Sequence, residues 1–70
     1  MSNQFNEYWK KRDLNDLIVR HFQEHCYAQR EFAKKLGISL HQVRNLLFYK
    51  TKFFHTCELE NFVNKLNEDQ

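Results

Sequence analysis

The chain of 70 residues contains no proline, a single glycine and only two cysteines. Without proline, helix interiors run uninterrupted, and with one glycine, tight turns and extended connections are poorly provided for. This composition favours an all-α fold. Cys26 and Cys57 are too few for a disulfide framework, so we expect small buried or half-buried side chains in a reducing compartment.

Long hydrophobic runs are also missing. No stretch approaches the roughly 20 apolar residues of a transmembrane helix, and residues 1–12 lack the apolar centre of a signal peptide. We therefore expect a soluble protein of the cytoplasm. Hydrophobic residues make up 41% of the chain, enough for one modest core. Because such a core contributes only about 3 to 5 kcal/mol, we expect one domain over residues 1–70, associated as a homodimer.

The net charge of +2 conceals an asymmetry along the chain. Between Ala28 and Phe54, six basic residues accompany the single acid Glu31, a local charge of +5, whereas residues 13–27 and 55–70 carry −2 and −3. A basic centre between acidic segments is typical of a surface that faces phosphate. A merely solvated basic surface is the alternative.

Apolar residues at helical spacing predict a first helix from Leu14 to about His25, with Asp13 as its N-cap. Residues 1–12 form a separate leading segment or short helix with a stripe of three aromatic residues: Phe5, Tyr8 and Trp9. A fourth helix ends near Asn67 and leaves residues 68–70 as a frayed tail. Its apolar stripe comprises Leu59, Phe62, Val63 and Leu66.

Two further helices lie close together in the centre. The second is predicted over Gln29 to Leu36 and ends at Gly37, a residue that adopts the left-handed conformation at no steric cost. The third runs from Leu40 to Phe48, with Ser39 as its cap. A connection of about three residues between two helices is the signature of a helix-turn-helix. The sequence therefore predicts a compact all-α domain of four to five helices, with a helix-turn-helix at residues 29–48.

Residues 29–46, QREFAKKLGISLHQVRNL, resemble the helix-turn-helix of the lambdoid phage repressors and Cro proteins and of the xenobiotic-response-element regulators. The match rests on five positions: Ala33, Gly37, Ile38, Val43 and Leu46. A small residue lets the two helices approach, the glycine makes the turn, and the apolar residues anchor the turn and the third helix. The resemblance covers residues 14–67 less sharply, and it implies a repressor of phage, plasmid or bacterial type that binds double-stranded DNA as a homodimer.

The third helix has an outward face. At 100° per residue, His41, Arg44, Asn45 and Phe48 lie opposite Val43. In the family this helix enters the major groove, where Arg, Asn and His side chains can hydrogen-bond to base edges. The resemblance therefore implies five candidate base readers: Leu40, His41, Gln42, Arg44 and Asn45. The alternative is that they are ordinary surface residues.

Other positions are candidates for contact with the DNA backbone. Gln29 opens the second helix, where similar phage proteins place a glutamine on a phosphate, and the helix N-terminus favours the same anion. Arg30, Lys50 and Lys52 are further candidates for phosphate binding. Lys34 and Lys35 are candidates too, but these two and Arg30 could equally be solvated.

One departure from the family concerns the end of the third helix. The family usually turns there through a polar residue and a glycine, but this chain has Phe48 and Tyr49, so the helix could continue with Phe48 directed at the groove. The resemblance places the dimer surface beyond this helix, at Phe53, Phe54 and Phe62. The leading aromatic stripe is the competing dimer surface, and the alternative is that it packs over the core.

Other activities find little support. A zinc site is conceivable from two parts of the chain: His21, His25, Cys26, His55 and Cys57. No paired metal motif is present, however, so we expect the histidines of the first helix to border the core and expect no metal, cofactor or small-molecule ligand. No nucleophile with a recognisable base and no phosphate-cradling glycine loop occurs, which argues against an enzyme.

A rival interpretation keeps the fold and changes the partner. The aromatic residues around the end of the third helix could bind a protein, as in an antirepressor or a subunit of a larger complex. The residues concerned are Phe48, Tyr49, Phe53 and Phe54.

Overall fold

A computed structural model describes the backbone of residues 3–68 and the side chains of residues 7–68. Over this range the chain forms four α-helices and one 3₁₀ turn, with no strand. The elements are α1 (Asn3–Glu24), α2 (Gln29–Leu36), α3 (Leu40–Leu47), the 3₁₀ turn (Thr51–Phe53) and α4 (Thr56–Glu68). The all-α prediction is confirmed, and the bounds of α2 agree with those predicted.

The N-terminal prediction is wrong in one respect, because residues 3–24 form one continuous helix of 22 residues. Asp13 lies in its interior and is exposed, so it caps nothing. With no proline or glycine before it, nothing interrupts the backbone hydrogen bonds of the helix at this point. The predicted frayed tail at residues 68–70 is also wrong at its first residue, because Glu68 still belongs to α4. The side chain of Phe5 and residues 69–70 lie outside the described part.

Three helices end in the same hydrogen-bonded turn, the Schellman motif, in which one residue takes the left-handed conformation. After α2 this residue is Gly37, at φ 72°, as predicted. The N–H of Gly37 donates to the carbonyl of Lys34 at 3.3 Å, and the N–H of Ile38 donates to that of Ala33 at 3.0 Å. These bonds satisfy carbonyl groups that the helix end leaves without a partner.

The same turn follows α1 and α3 without a glycine. Cys26 has φ 54° and Tyr49 has φ 58°, a conformation that costs an L-residue with a Cβ roughly 1 to 2 kcal/mol. At the end of α3, the N–H of Lys50 donates to the carbonyl of Asn45 at 2.9 Å. The expected extension of the third helix is therefore wrong, since the chain reverses after Phe48.

Replacing Cys26 with glycine should stabilise the protein, because Gly adopts a positive φ without steric cost and Cys26 is exposed. We expect a gain of about 0.5 to 1 kcal/mol, which raises the Tm by roughly 2 to 8 °C for a domain of this size. Thermal unfolding followed by circular dichroism measures it. Cys26→Ala is the control, since it removes the thiol and keeps the Cβ, and an equal rise in both variants would contradict the explanation.

All four helices and the residue that follows the 3₁₀ turn contribute to one core. Its buried members are Ile18, Phe32, Ala33, Leu36, Val43, Leu46, Phe54, Leu59, Phe62 and Leu66. The largest contact between two helices joins α1 to α4, and the radius of gyration is 11.8 Å, near the roughly 11 Å of a compact chain of this length. Over the described residues, no helix is both long and apolar enough to cross a membrane.

Several side chains differ from their predicted burial. Cys26 and Cys57 are exposed rather than buried, and Leu17 is 52% exposed although helical spacing predicts that it shares a core-facing stripe with Ile18. Conversely, the polar residue Asn15 is 0% exposed. Its Nδ2 donates to the carbonyl of Leu46 at 2.7 Å, which ties α1 to the last turn of α3.

Candidate nucleic-acid interface

The connection between α2 and α3 fixes the position of α3. It comprises the three residues 37–39, of which Ile38 is half-buried and packs against the core. The Oγ of Ser39 accepts a hydrogen bond from the N–H of Gln42 at 3.2 Å, so the predicted cap is confirmed. Val43 and Leu46 are each 0% exposed. One face of α3 is thus held by the core, and the other faces solvent.

Two polar side chains stand on this solvent face. His41 and Arg44 are both exposed, and among the described residues Arg44 forms no salt bridge. Phe48, at the end of the helix, is 72% exposed. Leu40 and Gln42 are half-buried at the edge of the face. The guanidinium group of Arg44 is therefore available to a partner.

The prediction that Asn45 lies on the outward face is wrong. Asn45 is 6% exposed, and its Nδ2 donates to the Oε1 of Gln42 at 3.1 Å. The chain folds back after Phe48, and the 3₁₀ turn packs against α3, which removes surface that a helical wheel of α3 alone leaves open. Asn45 can orient Gln42, but its own amide does not face solvent.

At the start of α2, Gln29 and Arg30 are exposed. The N-cap is Ala28, whose side chain has no acceptor atom, so only one half of a capping box exists: the N–H of Ala28 donates to the Oε1 of Glu31 at 3.1 Å. The carboxylate of Glu31 is thus close to the positive end of the helix dipole. It competes with any phosphate that approaches there.

Beyond α3, the side chains of Lys50 and Lys52 are exposed. The ammonium group of Lys52 lies 5.4 Å from the centroid of the Phe53 ring, within the range of a cation–π interaction. Phe53 itself is 51% exposed. Basic and aromatic surface therefore continues past the end of α3.

No protein family, curated protein or solved structure matches this chain. The likeness of residues 29–46 to the phage repressors therefore stays a prediction.

The C-terminal end of α3 is held by a contact that the sequence did not lead us to expect. The hydroxyl of Tyr49 donates to the Oδ1 of Asp16 at 2.7 Å, and the guanidinium carbon of Arg12 lies 5.0 Å from the centroid of the tyrosine ring. The Oδ2 of Asp16 accepts from the Nε of Arg20 at 2.9 Å. We call Arg12, Asp16 and Tyr49 the α1 latch. It holds Tyr49 in its left-handed conformation and so positions Lys50.

The hydrogen bond to Asp16 raises the pKa of the Tyr49 phenol above its ordinary value of 10.0, and burial acts in the same direction. The unfolded chain therefore loses this proton at a lower pH than the folded protein, so the latch stabilises below about pH 10 and its contribution is lost as the pH rises further. We expect the stability difference between wild type and Tyr49→Phe to shrink from pH 9 to pH 11. Urea unfolding across that range tests it, and a difference that is constant with pH would contradict the hydrogen bond.

Two of the three predicted dimer residues are not available for association. Phe54 is 3% exposed and Phe62 is 7% exposed, because both pack in the core, where their rings meet edge to face at 6.0 Å. Regular spacing along α4 indicates a buried face but not whether this chain or a partner covers it. Phe53 remains exposed, as do Tyr8 and Trp9 of the competing stripe, each at 49%.

The two-part zinc site is also not assembled. Over the described residues, no group of three or more histidine, cysteine, aspartate and glutamate side chains is arranged to hold a metal ion. His21 is half-buried and His25 is exposed at the end of α1. The prediction that they border the core is met by His21 alone.

Proposed function

We propose that the protein is a sequence-specific regulator that binds double-stranded DNA through a helix-turn-helix formed by α2, the connection at residues 37–39 and α3. The major groove admits one α-helix, and base edges there present distinct hydrogen-bonding patterns. An outward helix face with exposed polar groups and a core-packed back suits that groove. Residues 28–54, which include α2 and α3, carry a charge of +5, and this charge favours approach to phosphate.

Each reader would contribute different chemistry. Arg44 can pair with the O6 and N7 of guanine, and His41 can donate or accept at a base edge. Gln42 has its Oε1 engaged by Asn45, which leaves its Nε2 as a donor. Leu40 offers an apolar contact to a thymine methyl group. Asn45 then acts by orienting Gln42 rather than by reading a base itself.

Backbone contacts would come from both sides of α3. Gln29 and Arg30 lie at the start of α2, and Lys50 and Lys52 follow α3. Of these, we expect the two lysines to matter more, because Glu31 places a negative charge at the start of α2. Such contacts set orientation and affinity, whereas base contacts set specificity.

In this proposal the protein is a homodimeric repressor of phage, plasmid or bacterial type that acts in the cytoplasm by occupying an operator. Two copies would read half-sites one helical turn apart, about 34 to 36 Å. Phe53, or the exposed pair Tyr8 and Trp9, offers apolar surface for the contact between copies.

The observation that carries the proposal is the exposed Arg44, which forms no salt bridge within the described residues and lies on a helix face held from behind by the core. Selection of bound duplexes from a random DNA library, at roughly 100 mM salt, tests it. We expect enrichment of a two-fold symmetric site. A folded protein that enriches no sequence would contradict the proposal.

Arg44→Ala should weaken binding to the selected site by about 1 to 3 kcal/mol and relax selection at one position in each half-site. The matched control is Lys10→Ala, which removes the same charge from an exposed side chain of α1 that pairs with Glu60. Competition binding with single-base variants of the site measures both effects. If Arg44→Ala weakens binding equally for all sequences while Lys10→Ala does not, Arg44 contacts phosphate rather than a base.

The exposed aromatic side chains favour a second candidate, a protein-binding module. Phe48 is 72% exposed and Phe53 is 51% exposed, a combination that binding surfaces use. Tyr49 is held by the α1 latch and Phe54 is buried, so neither is free for a partner. This candidate predicts that Phe48→Ser and Phe53→Ser abolish partner binding while Arg44→Ala has no effect.

A further inference from the structure

Two histidines one helical turn apart near the end of α1 take no part in the proposed interface. The rings of His21 and His25 stack with their centroids 4.0 Å apart and their planes 18° from parallel. The ring of Tyr27 is 6.0 Å from each. His25 is exposed and His21 is half-buried, so both belong to the surface of the folded chain.

A hydrogen bond fixes the orientation of His25. Its Nδ1 lies 3.1 Å from the carbonyl oxygen of His21. Because a carbonyl oxygen can only accept, Nδ1 carries the proton, and the lone pair of the neutral ring is on Nε2. Histidines that bind metals are commonly oriented in this way by a carbonyl group.

We propose that His21 and His25 chelate a divalent transition-metal ion of the Ni²⁺, Cu²⁺ and Zn²⁺ class. Imidazole nitrogens bind such ions at about 2.0 to 2.1 Å, so two of them at a tetrahedral angle are about 3.3 Å apart. Rings stacked at 4.0 Å need only a small rotation to reach that separation. His25 binds through Nε2.

The surroundings of the pair affect both the charge of His21 and the number of further ligands for the ion. Burial lowers the pKa of the His21 imidazole below its ordinary value of 6.5, and the charges of His25 and Lys35 act in the same direction while that of Glu24 opposes them. The ring is therefore mainly neutral near pH 7, the form that binds metals. No third protein ligand is assembled in the described part of the chain, so water completes the coordination.

Imidazole ligands select this class of ion over hard cations such as Mg²⁺, which prefer oxygen. The full chain without an affinity tag should therefore be stabilised by Ni²⁺ and not by Mg²⁺. At a Ni²⁺ concentration tenfold above Kd, the Tm should rise by roughly 5 to 10 °C. An equal response to both ions would overturn the proposal.

Substitutions identify the ligands. His25→Gln and His21→Gln should each weaken Ni²⁺ binding by about tenfold or more, because the second ligand of a chelate binds at high effective concentration. The matched control is His55→Gln, which removes one histidine from another exposed position. Loss of binding in the control, with His25→Gln unaffected, would overturn the proposal. So would loss of binding on substitution of both exposed cysteines by serine.

Nuclear magnetic resonance on the wild-type protein gives an answer that does not depend on whether the variants fold. Ni²⁺ is paramagnetic, so substoichiometric ion should broaden the Cε1–H signals of His21 and His25 first. The signals of His41 and His55 should persist. Simultaneous broadening of all four would indicate independent single-histidine contacts and would overturn the chelate.

Discussion

At roughly 200 mM salt, the proposed complex with DNA is expected to bind about 10³- to 10⁵-fold more weakly than at roughly 50 mM. The reason is that each phosphate neutralised by a lysine or arginine releases condensed counterions, and release is less favourable when the bulk salt is concentrated. A dimer with roughly six to ten phosphate contacts gives this slope. Fluorescence anisotropy with the selected duplex, repeated at several salt concentrations, measures it.

Substitutions show which lysine side chains produce the dependence of affinity on salt concentration. Lys50→Gln and Lys52→Gln should each reduce the number of released counterions by about one per half-site. Lys10→Gln is the control, since Lys10 of α1 already pairs with Glu60 of α4 at 3.3 Å. This variant should leave the dependence of affinity on salt unchanged. Binding that hardly depends on salt would point to an interface dominated by the exposed phenylalanines and would favour the protein-binding module.

The predictions that succeeded depend on signals a few residues long. The end of α2 at Gly37 follows from the freedom of glycine to adopt positive φ, and the cap at Ser39 follows from a hydroxyl directly before a helical run. The burial of Val43 and Leu46 follows from helical periodicity. Such signals locate α2, α3 and the back of the candidate interface without knowledge of the rest of the fold.

The errors concern positions where a local preference is weaker than the structure around it. An aspartate cap contributes about 1 kcal/mol, which does not compensate for breaking a helix at Asp13 when no proline or glycine precedes it. The angles of an isolated helix predict that Asn45 lies on the outward face. Its burial depends on where the chain turns after Phe48, and that turn could not be inferred from the angles of α3.

The two left-handed residues illustrate the same limit. Glycine is the residue that usually adopts this conformation, so the residue types at Cys26 and Tyr49 do not predict a positive φ. Tyr49 is supported by Asp16, 33 positions away, and a contact so distant cannot be inferred from the segment itself. What the sequence does contain is a polar stripe at helical spacing on α1, which includes Arg12, Asn15 and Asp16. That stripe faces the end of α3 and the turn after it.

Asn15 gives the largest expected effect on stability. Its side chain is 0% exposed and its Nδ2 donates to the carbonyl of Leu46 at 2.7 Å, while its Oδ1 has no hydrogen-bond partner among the described residues. In Asn15→Asp, a carboxylate replaces the donor and meets a carbonyl oxygen at a position that is closed to solvent. An uncompensated buried charge costs about 3 to 5 kcal/mol, comparable to the whole stability of a core this small. We therefore expect the variant to be largely unfolded at pH 7.

Lowering the pH should restore part of the stability of Asn15→Asp. Burial raises the pKa of the new carboxyl in the folded state above its value of about 3.9 in the unfolded chain. The folded state of the variant is therefore favoured below about pH 3.9, and it loses stability as the pH rises through the pKa of the folded state. Asn15→Leu is the matched control of similar size. It removes the amide but leaves the carbonyl of Leu46 bonded to the N–H of Tyr49 at 3.1 Å, so its cost should be about 1 kcal/mol. Circular dichroism from pH 4 to pH 8 distinguishes these cases, and an aspartate variant as stable as wild type at pH 7 would mean that water reaches this site.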